Sequence, residues 1–488
     1  MRWSLVEKAQ PRTDAVVVPA FTDRPGQVPS AGFVAACGFT GRLGEVLRLP
    51  GEADGPAQVL LGFGTSTTLD DDTIRSAVAE LARAVRGFGR LGLALPTPGG
   101  RAPGPSAVRA AVEGFLLGGY RFTRHKSAVA SGPCGPEHVD LLLPDGGGAA
   151  ERAALDEGQR LAAATLLARD LVNEPGQDLT PALFAERAAK VAADSGLRCE
   201  VWDEERIVAE RLGGLLAVGR GSLRPPRLVR LTYRPDRPDR PVGRYALIGK
   251  GVTFDAGGLS LKPSAEMLTM KADMAGAAAV LGAMSVLTGL NCGTQVDAWL
   301  PLAENMPNGD PVRIGDVLRM RGGRTVEVRN ADAEGRLILA DALTLAGECA
   351  PDAMIDVATL TDAAPIALGR KIAAVMGTDD ALVDRLRQAA GQVGEPVWPL
   401  PLSDRYRWQL ESPVADLVNY TIGNRHGTAL LAGLFLREFV PAGIPWAHLD
   451  IQGTALCDAD DGEWVQGATG FAVRTLATLL REPLAVPH

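Results

Sequence analysis

The sequence predicts an α/β protein with two domains, a smaller N-terminal one and a larger C-terminal one. Short apolar runs typical of strands alternate with alanine-rich stretches typical of helices along most of the 488 residues. A glycine-rich tract at 144–150 interrupts this alternation and indicates a flexible connection. We therefore expect an α/β domain over residues 1–150. A larger α/β domain should follow over 151–488, with a mostly parallel central sheet flanked by helices.

The first domain is predicted from three apolar runs and one long helical pattern. The strand candidates are 15–18, 59–62 and 91–95, and the clearest helix candidate is 72–85. Alternating strands and helices favour parallel pairing, because two parallel strands need a long crossover connection between them. We expect a largely parallel sheet in this domain.

The second domain begins with a long helical pattern from about 150 to 171. A second helix is predicted after Thr180, because threonine is a favoured N-cap residue and Pro181 suits the first helical position. The proline-rich tract 234–241 lies between two strand candidates, so we interpret it as a hairpin-like loop inside this domain. The strand candidates are 228–233, 245–248, 295–301, 325–329, 354–359 and 446–451.

The charge balance bears on possible partners. A formal net charge of −8 provides no general attraction for nucleic acid, so we expect no nucleic-acid partner. The alternative is a DNA-binding role on a local patch of arginines, which would comprise Arg224, Arg227, Arg230, Arg234, Arg237 and Arg240.

Composition also indicates the compartment. The sequence has no apolar run of the roughly 18 residues or more that a membrane span needs. The first residues include Arg2, Glu7 and Lys8 and no apolar segment, so we expect no secretory signal. The six cysteines are scattered, as is typical of free thiols in a reducing compartment. We expect a cytoplasmic protein without membrane contact.

Polar functional groups are concentrated in two glycine-flanked segments, 249–263 and 330–337. Each follows a strand-like run and precedes a helix, and ligands of open α/β sheets bind at the carboxyl ends of strands. Asp332 and Glu334 are two positions apart, so in extended backbone their side chains would point the same way. Asp255 and Asp273 supply two more acids in and after the first segment.

Four carboxylates in one crevice are costly unless cations neutralise them, and divalent metal ions do this well. Nearby lysines could serve as an amine ligand or as a cation that stabilises an oxyanion. The alternative is that both segments are solvated surface turns. The residue types leave both interpretations open.

Other templates for a functional site do not fit. The segment 249–263 lacks the third glycine of a dinucleotide fingerprint and the Lys-Ser/Thr pair of a phosphate-binding loop. The chain has five histidines and no H-E-x-x-H motif, and neither segment contains a histidine. We interpret His448, inside an apolar run, as a core histidine with a hydrogen-bonded partner.

The two segments resemble those of a known family. Residues 330–337 read NADAEGRL, and 249–263 read GKGVTFDAGGLSLKP. With MKADMAGAAAV at 270–280, they are similar to the metal-binding segments of the leucyl aminopeptidase (cytosol aminopeptidase) family, peptidase family M17, whose signature octapeptide is NTDAEGRL. Further matches, such as AHLDIQGTA at 447–455, extend the resemblance over roughly residues 160–480.

The resemblance implies a metal-dependent aminopeptidase that releases the N-terminal amino acid of peptides by attack of a water molecule activated by two metal ions. Asp255, Asp332 and Glu334 would bind one metal ion. Lys250, Asp273 and again Asp255 and Glu334 would bind the second. The expected metals are Zn²⁺ or Mn²⁺, with Mg²⁺ and Co²⁺ as alternatives.

Two further residues receive roles from the same resemblance. Lys262 would polarise the scissile carbonyl, and Arg336 would hold a bicarbonate ion that serves as general base. The resemblance also implies a homohexamer with its sites facing an internal cavity.

The pocket for the first side chain of the substrate departs from the family pattern. Resemblance places Met270, Thr359, Asp362 and Gln452 around this pocket; Asp362 stands where the family usually has glycine, and Gln452 where it has a small residue. We expect a Leu- or Met-like first residue, with tolerance of basic or polar ones through Asp362. The alternative is that Asp362 caps the helix that follows it.

Overall fold

The computed structural model describes residues 1–24, 28, 30–51, 55–97, 103–127, 135–235 and 243–482. It forms two compact units, the first comprising Met1–Leu166 with Asp458–Gln466 and the second Leu167–Cys457 with Gly467–His488. Each unit contains its own sheet and helices, which confirms the predicted two-domain α/β class.

The first unit is built on a six-stranded sheet in the order β1-β6-β5-β2-β4-β3. Every neighbouring pair is parallel except β3 with β4. The largely parallel sheet is thus confirmed. Its strands are β1 Arg2–Val6, β2 Ala15–Ala20, β3 Val46–Leu49, β4 Ala57–Gly62, β5 Arg90–Ala94 and β6 His138–Leu142, and its helices are α1 Ala31–Ala36, α2 Asp71–Ala84 and α3 Pro105–Gly118.

Helix α2 shows why these helices form where the pattern predicts. Asp70 caps its first turn by accepting a hydrogen bond from the backbone N–H of Thr73 at 2.8 Å. Its apolar face, including Ile74, Val78 and Leu81, is buried in the core of this unit. The predicted helix 72–85 is confirmed within one residue at each end.

The second unit contains a nine-stranded sheet in the order β16-β15-β18-β14-β9-β11-β8-β7, with β10 also paired to β11. Its centre is parallel, and antiparallel pairs join β15 to β18, β11 to β8 and β8 to β7. The strands of the sheet are β7 Arg198–Trp202, β8 Arg227–Tyr233, β9 Arg244–Gly249, β10 Gly251–Asp255, β11 Gln295–Asn305, β14 Ala353–Ala358, β15 Ala373–Gly377, β16 Val397–Pro399 and β18 Trp446–Asp450.

Two smaller sheets lie outside this one, formed by β12 Val317–Arg319, β13 Thr325–Glu327 and β17 Leu417–Val418, and by β19 Leu456–Cys457 with β20 Gly467–Ala468. Helix α4, Ala149–Asn173, contains Leu166, at which the N-terminal segment of the first unit ends. The other helices are α5 Pro181–Asp194, α6 Glu204–Ala209, α7 Gly213–Gly219, α8 Ser264–Met267, α9 Ala275–Val286, α10 Gly335–Gly347, α11 Ala363–Leu368, α12 Asp380–Gln392, α13 Thr428–Arg437 and α14 Val473–Arg481.

Several predictions about local structure are confirmed. Every predicted strand overlaps an observed one, and Thr180 caps α5 by accepting from the N–H of Leu183 at 3.3 Å, with Pro181 at the start of the helix. His448 is fully buried, and its Nδ1 lies 2.5 Å from Oδ1 of Asp356. Cys37, Cys199, Cys292, Cys349 and Cys457 are free thiols, and Cys134 lies outside the described residues.

One prediction about connectivity is wrong. Strands β8 and β9 do not form a hairpin around the tract 234–241, because β11 lies between them and pairs with both. Most of that tract lies outside the described residues. The predicted strand at 325–329 forms β13, which belongs to a small sheet separate from the central one. Among the described residues, no helix combines the length and apolar character required of a membrane span.

A buried carboxylate joins helix α10 to two distant backbone segments. Oδ2 of Asp341 accepts from the N–H groups of Gly214 at 2.7 Å and Leu215 at 3.0 Å, at the start of α7. Its Oδ1 accepts from the N–H of Arg321 at 2.8 Å. Burial raises the pKa of Asp341 to about 7, although these donors favour its charged form.

We predict that Asp341→Asn changes the pH dependence of stability. The pKa of Asp341 is higher in the folded than in the unfolded protein, so its protonated form favours folding at low pH. This contribution to the free energy of unfolding, up to about 4 kcal/mol, is lost as the pH rises from about 4 to about 7. The melting temperature of the variant relative to wild type should therefore rise from about pH 5 to about pH 8. Exposed Asp194→Asn is the control. A relative melting temperature that stays constant with pH would contradict the prediction.

Candidate active site

The candidate site lies where strands of the second unit end. Lys250 directly follows β9, Asp255 is the last residue of β10, and Thr359 directly follows β14. Strands β9 and β14 are parallel neighbours, so their carboxyl ends meet at one edge of the sheet. The predicted strand-end position of the first polar segment is confirmed.

The second acidic segment, 330–337, also contributes to the site, but its backbone conformation differs from the predicted one. It follows the small sheet of β13; Asp332 lies in a turn, and Glu334 precedes α10 with helical φ −77° and ψ −36°. The expectation that extended backbone aims Asp332 and Glu334 the same way is therefore wrong. A tight turn and a helix start bring both carboxylates to the cluster instead.

The acids and lysines form one buried cluster. One carboxylate oxygen each from Asp255, Asp273 and Glu334 lie within 4.8 Å of one another. Nζ of Lys250 is 2.7 Å from Oδ1 of Asp273 and 2.9 Å from Oε1 of Glu334.

A second lysine connects the remaining acid to this cluster. Nζ of Lys262 is 3.0 Å from Oδ2 of Asp255 and 2.5 Å from Oδ1 of Asp332. Each lysine thus lies between two carboxylates. The structure brings together all five predicted metal-binding residues and Lys262.

Electrostatics at this cluster are unfavourable without further cations. Burial and nearby carboxylates raise the pKa of Asp255, Asp273 and Asp332, that of Asp332 to about 8. Burial lowers the pKa of Lys250, but the surrounding carboxylates outweigh it and raise the pKa overall. Four carboxylates against two ammonium groups leave two negative charges uncompensated.

The donor set fits divalent metal ions. Oδ2 of Asp273 is buried and has no hydrogen-bond donor among the described residues, whereas Oδ1 of Asp332 pairs with Nζ of Lys262. Carboxylate oxygens with free lone pairs in a negatively charged cavity are suitable ligands for Mn²⁺, Mg²⁺ or Zn²⁺. A cation bound there would replace the charge of a lysine and allow Lys250 to lose its proton.

Arg336 places a buried guanidinium near Glu334. It is 5 % exposed, and burial lowers its pKa to about 10. Its Nη1 donates to the carbonyl of Asn419 at 2.9 Å, while Nε has no acceptor among the described residues. A buried guanidinium with a free donor is well suited to a planar oxyanion.

The predicted pocket residues are placed on segments next to the cluster. The hydroxyl of Thr359 donates to Oδ1 of Asp273 at 2.8 Å, and its carbonyl accepts from Lys250 at 2.7 Å. Met270 starts the short 3₁₀ helix Met270–Ala272 and is half-buried. Gln452 follows β18, the parallel neighbour of β14, and is also half-buried.

The capping alternative for Asp362 is wrong. Asp362 is exposed, and its side chain accepts no hydrogen bond at the start of α11. The hydroxyl of Thr361 accepts from the N–H of Ala364 at 3.3 Å instead. Oδ1 of Asp450 accepts from the N–H groups of Leu360 and Gln452, both at 3.2 Å, and so joins the loops that carry Asp362 and Gln452.

The arginine patch does not form a field of free cations. Arg230 and Arg234 both pair with Asp297, at 3.3 Å and 2.8 Å. Arg227 donates to the carbonyl of Pro226 at 2.9 Å. Arg237 and Arg240 lie outside the described residues.

Two asparagines support the site without having been predicted. Asn305 donates to Oδ1 of Asp255 at 2.8 Å and to the carbonyl of Ala331 at 3.0 Å. The amide of Asn419 accepts from the N–H of Arg329 at 2.8 Å and donates to the carbonyl of Asn330 at 2.7 Å. Both are buried. Asn305 lies in the sequence ENMPNG at 304–309, which is part of the family resemblance, whereas no local sequence signal marks Asn419.

Comparison with known proteins identifies the chain. Residues 166–477 match the cytosol aminopeptidase family, catalytic domain, and residues 30–128 match the N-terminal domain of the same family. A protein of Leifsonia xyli subsp. xyli named "Probable cytosol aminopeptidase" is 46% identical, over 96% of this chain and 96% of its own length.

Solved structures agree. The bottromycin maturation enzyme BotP in complex with Mn is 43% identical with a TM-score of 0.88, covering 96% of this chain and 99% of that one. A mutant of tomato leucine aminopeptidase is 29% identical with a TM-score of 0.88, covering 98% and 96%.

Fold, site and relatives together define a metal-dependent aminopeptidase. The chain belongs to the cytosol aminopeptidase family and is a metallo-exopeptidase of the leucyl aminopeptidase type that acts on peptides. The predicted family is confirmed.

We predict that Mn²⁺ stabilises the metal-free protein through this cluster. At a concentration of 100 times Kd, binding adds about 2.7 kcal/mol, which raises the melting temperature. Asp273→Asn should abolish most of this rise, while its metal-free melting temperature stays near that of wild type because one of four crowded carboxylates is removed. Glu266→Gln, at an exposed acid, is the control. A full Mn²⁺ effect in the Asp273 variant would exclude this residue as a ligand.

Proposed function

We propose that this aminopeptidase uses two divalent metal ions, one held by Asp255, Asp332 and Glu334 and the other by Lys250, Asp255, Asp273 and Glu334. The observation that supports this most is the convergence of three buried carboxylates within 4.8 Å, flanked by two lysines. Metal ions bound there would supply Lewis-acid polarisation of the scissile carbonyl and an acidified water molecule.

Lys262 is the group proposed to act on the reacting carbonyl. Its side chain is 14% exposed, whereas that of Lys250 is 4% exposed, so it is the more accessible of the two ammonium groups. Its pKa is raised by Asp255, Glu334 and Asp332 against the effect of burial, which keeps it charged at neutral pH. A fixed cation beside the carbonyl stabilises the negative charge that develops on the carbonyl oxygen.

Arg336 is proposed to hold bicarbonate as the general base. The free Nε of Arg336 and its buried charge support an anion at this position. Arg336 would hold the bicarbonate, and the bound ion would supply a general base for the reaction.

Substrate selection is proposed to involve Met270, Thr359, Asp362 and Gln452. We propose a preference for Leu- or Met-like first residues, with tolerance of basic or polar ones. The exposed carboxylate of Asp362, which caps no helix, supports this because it is free to face a cationic side chain.

The metal, the assembly and the compartment are also proposals. Zn²⁺ or Mn²⁺ is proposed, with Mg²⁺ or Co²⁺ as alternatives, and the Mn in the BotP structure supports Mn²⁺. We also propose a homohexamer, which rests on the family resemblance alone, and a cytoplasmic location, which the family name and the free cysteines support. Nucleic acid is not proposed as a partner.

We predict that chelated protein hydrolyses leucine anilide only after Mn²⁺ or Zn²⁺ is restored, and that Lys262→Ala then lowers kcat about 10²–10³-fold with little change in KM. The reason is that the ammonium stabilises charge present mainly in the transition state. Lys190→Ala, at an exposed surface lysine, is the control. Full activity of the chelated protein would refute the metal mechanism, and an unchanged kcat would remove Lys262 from it.

We predict that Asp362→Gly lowers hydrolysis of arginine amide relative to leucine amide by about fivefold, the value of an exposed ion pair. Methionine amide should follow leucine amide. Asp362→Asn keeps the size and removes the charge, so it should give the same change if charge is the cause. A constant arginine-to-leucine ratio in both variants would end the proposed role.

A further inference from the structure

Asn305 is placed to control one carboxylate of the cluster. It is the last residue of β11, is 2 % exposed, and lies opposite Asp255 in the parallel pairing of β10 with β11. Its Nδ2 donates to Oδ1 of Asp255 at 2.8 Å and to the carbonyl of Ala331 at 3.0 Å. One amide therefore joins the two acidic segments.

Oδ1 of Asp255 is saturated by the protein. The backbone N–H of Gly257 also donates to it at 2.8 Å. Two donors fill the two lone pairs of Oδ1, while Oδ2 lies 3.0 Å from Nζ of Lys262, which also pairs with Asp332. The carboxylate is thus held with one defined oxygen directed into the cluster.

The side chain of Asn305 is not needed for the strand pairing around it. The backbone carbonyl of Asn305 accepts from the N–H of Ala256 at 2.9 Å, and this bond survives any side-chain substitution. Gly258 allows the amide to fit, because a Cβ there would lie 2.8 Å from Oδ1 of Asn305. The space is shaped for the amide group itself.

We propose that Asn305 is a positioning residue for the metal centre, resting on the proposed two-metal function. By occupying Oδ1 of Asp255, it leaves Oδ2 as the oxygen through which Asp255 binds metal. By holding the carbonyl of Ala331, it also fixes the segment that carries Asp332. Hydrogen bonds to metal-binding carboxylates commonly change metal affinity by about 10–100-fold.

The test is calorimetric titration of metal-free full-length protein with Mn²⁺. Asn305→Ala and Asn305→Leu should each bind Mn²⁺ about 10–100-fold more weakly in at least one step. The leucine variant keeps most of the volume, so a weakened affinity shared by both variants identifies the lost donor and not a cavity. At saturating Mn²⁺, kcat should fall while KM for leucine anilide stays within about twofold, because Asn305 contacts acids and not substrate.

Thr253→Val is the matched control. Thr253 is buried on β10, and its hydroxyl donates only to the carbonyl of Ala303, so its loss should leave Mn²⁺ affinity unchanged. Affinities within threefold of wild type in both Asn305 variants would overturn the proposal. If wild-type protein itself bound no Mn²⁺ or Zn²⁺, the two-metal function would fail instead.

Discussion

The structure around the site depends on one constraint, the crowding of four carboxylates, three of them buried and that of Asp332 half-buried, in a space with two ammonium groups. Charges removed from water must be compensated by opposite charges, or the acids take up protons. This need for positive charge is why the pKa values of Asp255, Asp273 and Asp332 are raised. In the proposed function, metal ions would satisfy this need, and the two lysines satisfy part of it in the metal-free protein. A cluster that is poorly compensated by itself is therefore well prepared to bind cations.

The fold supplies this cluster at the ends of its central strands, where backbone elements leave room for side chains. Close approach requires small residues at specific points. A Cβ on Gly335 would lie 2.6 Å from Nζ of Lys250, and one on Gly257 would lie 2.8 Å from Oδ1 of Asp332. The glycines that flank the acids in the sequence thus serve the packing of the charged groups and not only the turns.

Groups behind the acids determine their orientation. Thr359, Asn305 and the N–H of Gly257 hold carboxylate oxygens, while Asn419 holds the backbone around Asp332 and the guanidinium of Arg336. Asp450 joins the loops that carry the proposed specificity residues. The chemistry therefore rests on buried polar groups that are held by hydrogen bonds of their own, which favours a rigid site.

The sequence by itself determined the two-domain α/β class, five of the nine strands of the central sheet, and the two segments that carry the acids and lysines. These features are local, because hydrophobic periodicity, caps and glycine positions lie within a few residues of one another. Tertiary structure alone decided that β11 separates β8 from β9. It also decided that Asp332 lies in a turn and Glu334 at the start of a helix, and that the side chain of Thr361 rather than that of Asp362 caps α11. It also decided the partners of Asn305 and Asn419, because their contacts lie up to about 90 residues away and only the pairing of distant strands brings them together.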